Sequence, residues 1–154
     1  MKTTLALLSL TLLSTGALHA KDTKPAGTKP AAAAEKPAGD LHALMKSIGG
    51  DFGKLMKTID KPEQVEANKE LAKKLAETAE SCADFAPSKA EKASSEAEGA
   101  RITKAYKAEI AKLAENFRKI ETALGKKDFA AAKTAAAACT SLKKQDHPKF
   151  IQRK

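Results

Sequence analysis

Met45 and His147 are the side chains of this sequence best suited to carry chemistry. Cleavage after residue 20 would leave Met45, Met56, His42 and His147 as the remaining methionines and histidines. Met45 lies one turn inside a first expected helix. His147 closes the last, within Lys143-Lys144-Gln145-Asp146-His147-Pro148-Lys149-Phe150. A thioether facing an imidazole makes a Met/His axial pair, a ligation that raises the potential of a haem iron. An all-α, antiparallel up-down-up-down four-helix bundle brings the start of helix one and the end of helix four to the same end of the molecule. The expectation is electron transfer by one haem. His42 falls one residue off the helix-one seam and is expected at the surface, beside such a group rather than on its iron. Met56 is expected in packing or at the surface.

Cys82 and Cys139 are the two cysteines. An even count in an exported chain is compatible with a disulfide, here between helices two and four. Two buried free thiols are a second reading. A third uses Cys82, Cys139, Met45 and His147 as soft ligands for copper. The sequence offers no Ser/His/Asp arrangement, phosphate loop or metal-hydrolase motif, so no enzymatic activity is expected.

The helices that must place these residues are legible in the apolar spacing. Helix one is expected from an N-cap at Asp40 to Ile59. Its seam of Leu41, Met45, Ile48, Phe52, Leu55 and Ile59 advances in steps of four and three. Gly49 and Gly50 interrupt it at about 1 kcal/mol each. Either a flat ligand presses on the backbone there or the helix kinks. Pro62 restarts the chain as helix two, with Leu71, Leu75, Thr78, Cys82 and Phe85 on one stripe before Pro87. Residues 88–99 form a polar, partly helical connection. Helix three carries Ile102, Tyr106, Ile110, Leu113, Phe117, Ile120 and Leu124 and ends at Gly125. Helix four carries Phe129, Ala132, Ala136, Cys139 and Leu142 to about His147. Proline disfavours the α conformation in the residue before it, so Pro148 predicts that His147 sits just past the last turn.

Residues 1–20 read as a secretory signal: Lys2, an apolar run from Leu5 to Leu13, and small residues closing at Ala20, with Ala17 as the alternative cut. The apolar run is too short for a span of about 20 residues. Residues 21–39, rich in Lys, Ala and Pro, form an expected flexible spacer. Residues 40–152 are the expected bundle. The protein is therefore expected to be exported to the periplasm and not membrane-spanning. Loss of Lys2 takes the net charge from +9 to +8, which favours an acidic redox partner or an anionic surface. Lysines spread along every helix without interleaved aromatics argue against nucleic-acid binding.

The chain resembles the cytochrome b562 family across roughly residues 40–150. The resemblance rests on Leu41-x3-Met45-x2-Ile48-x3-Phe52-x2-Leu55, on Gly125-Lys126-Lys127-Asp128-Phe129-Ala130-Ala131-Ala132, and on His147 with Pro148 and Phe150 behind it. It implies an up-down-up-down bundle holding a non-covalent haem b, with Met45 and His147 as iron ligands. Lys143 stands where that family has an arginine one turn before the histidine, keeping the charge without the planar fork. The related cytochromes c′ attach haem through C-x-x-C-H. Here Lys143 and Asp146 occupy both cysteine positions, which excludes thioether attachment.

Overall fold

The computed structural model describes residues 40–151. The expected signal and spacer, and the end of the expected bundle at residue 152, lie outside the described residues. The described residues are helical, with no strand among them. Four long helices, α1 (Leu41–Thr58), α2 (Val65–Cys82), α4 (Glu96–Gly125) and α5 (Phe129–Phe150), are accompanied by a single turn, α3 (Ser88–Glu91).

Local chemistry explains most boundaries. Asp40 caps α1 by accepting from the His42 amide at 3.0 Å. The α1 carbonyls end on a side chain from the next helix: Asn68 Nδ2 donates to the Thr58 carbonyl at 2.7 Å. The Thr58 hydroxyl donates back to Asn68 Oδ1 at 2.8 Å. Ser95 caps α4 through the Glu98 amide, and Asp128 caps α5 through the Ala131 amide. Gly125 is the last helical residue of α4, as expected. The left-handed residue of the following turn, however, is Lys127 at φ 56°. The Asp128 amide closes that turn on the Ala123 carbonyl at 2.9 Å. Helix three is also longer than its apolar stripe implies, because Ser95 starts it two turns before Ile102.

α1 packs on α2, α2 on α4 and α4 on α5. The pairs Thr58–Asn68 and Asp51–Lys74 fix α1 and α2 as antiparallel. Leu55, Leu75, Phe117, Ile120 and Leu124 lie at the centre of the core. Between them run alanines: Ala72, Ala76 and Ala79 from α2, Ala114 from α4, and Ala132, Ala135 and Ala136 from α5. Small side chains let helix backbones approach closely, and α2 and α5 are built on that principle. α3 folds back onto α4 at Gly99, where a Cβ would come 3.1 Å from the Ala90 carbonyl oxygen. A Cβ there would require the Ala90 carbonyl to give by a few tenths of an ångström.

Candidate functional site

Helix pairing and a short run of contacts place Met45 and His147 toward the same end of the helices. The antiparallel pairing puts Met45, in the first half of α1, toward the C-terminal end of α2. There the Cys82 carbonyl accepts from the buried Tyr106 hydroxyl at 3.2 Å. The Tyr106 ring meets Phe150 edge-on, with centroids 5.5 Å apart. Phe150 follows His147 by one turn in α5.

Met45 is half-buried and packs against the core. His147 and Lys143 are exposed, and neither side chain makes a hydrogen bond or ion pair among the described residues. His42 and Met56 are exposed as well. Contrary to the expectation from Pro148, His147 lies inside α5, which continues to Phe150. The reason is burial: Phe150 is only 8% exposed, and packing it against Tyr106 overrides the local preference of a residue before proline.

One flank of α1 is only partly covered among the described residues, with Met45 and Phe52 half-buried and Gly49 and Met56 exposed. Asp51 and Thr58 turn toward α2. Met45, Gly49, Phe52 and Met56 follow one another in steps of four, three and four on the flank turned away from it. Phe52 reaches the core through an edge contact with Phe117 at 5.7 Å. A Cβ at Gly49 would meet nothing within 4 Å. The close helix contacts of α1 are with α2, and those of α5 are with α4 and α3. The α1 helix runs unbroken through Gly49 and Gly50. Among the described residues nothing lies within 4 Å of a Cβ built at Gly49 or Gly50, so close packing at these positions does not explain the glycines.

The cysteines do not join this arrangement. Both are buried free thiols, and the bridge expected between Cys82 and Cys139 is not formed. Cys82 ends α2 and Cys139 lies midway along α5, and each of these helices packs on α4. Burial pushes the Cys82 thiol up to about 11 and the Cys139 thiol up to about 12, so both stay protonated and unreactive at neutral pH. No three His, Cys, Asp or Glu side chains cluster among the described residues, so Cys82, Cys139 and His147 do not form one donor set for copper.

The structure adds residues that the spacing did not reveal. Lys89 Nζ donates to the Pro148 carbonyl at 2.6 Å. Phe150 was hidden behind Pro148, although its spacing from Cys139 and Asp146 continues the inner stripe of α5. A shallow depression of about 340 Å³ beside α3 is lined by Lys89, Lys92, Ser94 and Glu98 among others. Its Ser94 hydroxyl is bonded to Glu98, and its Lys89 amine to Pro148.

The donor types fit a haem iron. Met45 offers a thioether at the edge of the core, His147 an exposed imidazole with no side-chain partner among the described residues, and Phe52 and Met56 partly exposed apolar surface beside Met45. No protein-family model, curated protein or solved structure matches the chain.

Proposed function

We propose that the protein is an up-down-up-down four-helix bundle that holds one non-covalent haem b and transfers electrons in the periplasm. The observation that carries this reading is the half-covered apolar flank of α1. With Met45 and Phe52 half-covered and Gly49 and Met56 exposed, this flank offers a flat, largely apolar group a surface to rest on. Met45 then supplies a soft axial donor from α1 and His147 the second from α5. Gly49 lets a planar group approach the backbone, and Phe52 backs it from the core. Lys143 and the other exposed lysines of α5 face solvent, where they can pair with anionic substituents or with an acidic redox partner. When bound, the haem would supply a one-electron couple, held by the Met45 thioether and the His147 imidazole.

The copper alternative has less support, since Cys82, Cys139 and His147 do not converge. A haem-free bundle that binds a protein partner is the remaining reading.

The absorption spectrum of the full-length protein purified from periplasm, before and after haem addition, decides between them. The expected result is sharp low-spin bands on reduction, with all the haem extractable by acid-acetone. In Met45→Ala, the bands become high-spin or uptake weakens. A wild-type protein that takes up no haem overturns the reading. Haem retained by the polypeptide after extraction overturns non-covalent binding. An unchanged Met45→Ala spectrum removes Met45 as the ligand.

A further inference from the structure

The turn that carries His147 should not be helical on local grounds. Pro148 has no amide to give to the Lys144 carbonyl, and its ring disfavours the α conformation at His147. Yet the Ile151 amide still bonds the His147 carbonyl at 3.1 Å, closing a last helical turn. Something outside α5 holds it.

That element is α3. Lys89 Nζ reaches across to the Pro148 carbonyl at 2.6 Å. The Ser88 hydroxyl lies 3.5 Å from the Phe150 carbonyl. Both acceptors belong to the last turn of α5, whose carbonyls have no partner within the helix. From the other side, Phe150 is buried edge-on against Tyr106, and Tyr106 is itself tied to the Cys82 carbonyl. α3 has firm footing for this. It rests against α4 at Gly99, where an added Cβ would lie only 3.1 Å from the Ala90 carbonyl oxygen.

We infer that α3 is a strap that orders the terminal turn of α5 and thereby positions the His147 imidazole. Lys89 is its principal positioning residue, with Phe150 as the anchor that it covers. His147 makes no side-chain hydrogen bond among the described residues, so its orientation depends on the backbone beneath it. The strap ties that backbone to α4, which is part of the rigid core. The consequence for ligand binding rests on the haem reading. The ordering of the turn does not.

The first measurement is therefore made on the full chain without haem. Exchange of the Ile151 amide is followed by NMR in wild type, Lys89→Met, Lys89→Arg and Lys92→Met. Lys92 serves as a control because it is a neighbouring lysine with no partner among the described residues. Exchange is expected to accelerate about tenfold in Lys89→Met, the scale for losing a charge-assisted hydrogen bond. Lys89→Arg is expected to restore most of the protection, and Lys92→Met to leave it unchanged. The Phe117 amide, deep in α4, is expected to keep its rate in every variant. Unchanged Ile151 exchange in Lys89→Met overturns the strap, as does an equal effect of Lys92→Met.

The second measurement is haem release into excess apomyoglobin. Lys89→Met is expected to release haem several-fold faster at unchanged melting temperature of the haem-free form. Release at the wild-type rate despite faster Ile151 exchange overturns the positioning role. A wild-type chain that binds no haem instead overturns the proposed function, and the amide exchange still decides the strap.

Discussion

The two flanks of α1 are made from the same short stretch of sequence and do opposite things. The flank against α2 is closed. Asp51 is clamped by Lys54 at 2.8 Å and Lys74 at 2.9 Å. Thr58 and Asn68 satisfy one another, and Ile48 and Leu55 complete the apolar layer. The flank turned away carries Met45, Gly49, Phe52 and Met56 and is left half-covered. One helix cannot be read as uniformly structural or functional. Its stability is concentrated on one side, and the side with spare apolar surface and a soft donor is the one available for a ligand.

Adjacent residues give the sharpest test of this division. Leu55 is 0% exposed and Met56 is 41% exposed. Leu55→Ala is expected to cost about 3 kcal/mol by opening a cavity against the core. Met56→Ala is expected to stay within about 0.5 kcal/mol. Urea unfolding of both haem-free variants provides the comparison. Equal losses would mean that the second flank is packed and that the contrast is false.

The closed flank was only partly legible in sequence. Its large apolar residues, Ile48 and Leu55, were visible through their spacing, because a seam of Leu and Ile stands out against lysine. Asp51 and Asn68 were not, since a polar residue read alone looks solvent-facing, and their partners come from another helix. The alanine stripes of α2 and α5 gave little signal for a related reason. Alanine is common on every face of a helix-rich chain, so its burial is set by what packs across from it. The end of α5 was misplaced because a sound local rule about proline lost to the long-range burial of Phe150. Lys89 carried no signal at all. It is one lysine among many, and its role exists only through the fold.

The glycines allow a finer test of the open flank. A Cβ meets nothing within 4 Å at either Gly49 or Gly50. Gly49→Ala and Gly50→Ala are therefore both expected to stabilise the haem-free helix by about 1 kcal/mol. They differ in direction. Gly49 shares the flank of Met45, whereas Gly50 turns outward. With haem bound, Gly50→Ala is expected to keep its gain, and Gly49→Ala to lose it through weaker haem affinity. Equal behaviour of the two in haem titrations would show that the flank is not the contact surface.

The smallest effect expected is on the closed flank, and it is read through pH. The side-chain hydrogen bonds from Lys54 and Lys74 hold the Asp51 carboxyl below its ordinary value of 3.8. A carboxyl with a depressed folded-state value contributes its stability above the unfolded value and loses it as the pH falls through the folded one. The contribution is thus present at neutral pH and fades below about pH 4. Both lysines are largely exposed, so solvent screening limits the pair to about 0.5 kcal/mol. Asp51→Asn is expected to lower stability by that amount at pH 7 and by almost nothing at pH 2.5, with the difference shrinking in high salt. A gap between the two proteins that persists undiminished at pH 2.5 would trace the loss to packing rather than charge. The flank against α2 would then be held by its apolar layer and by Asn68 alone.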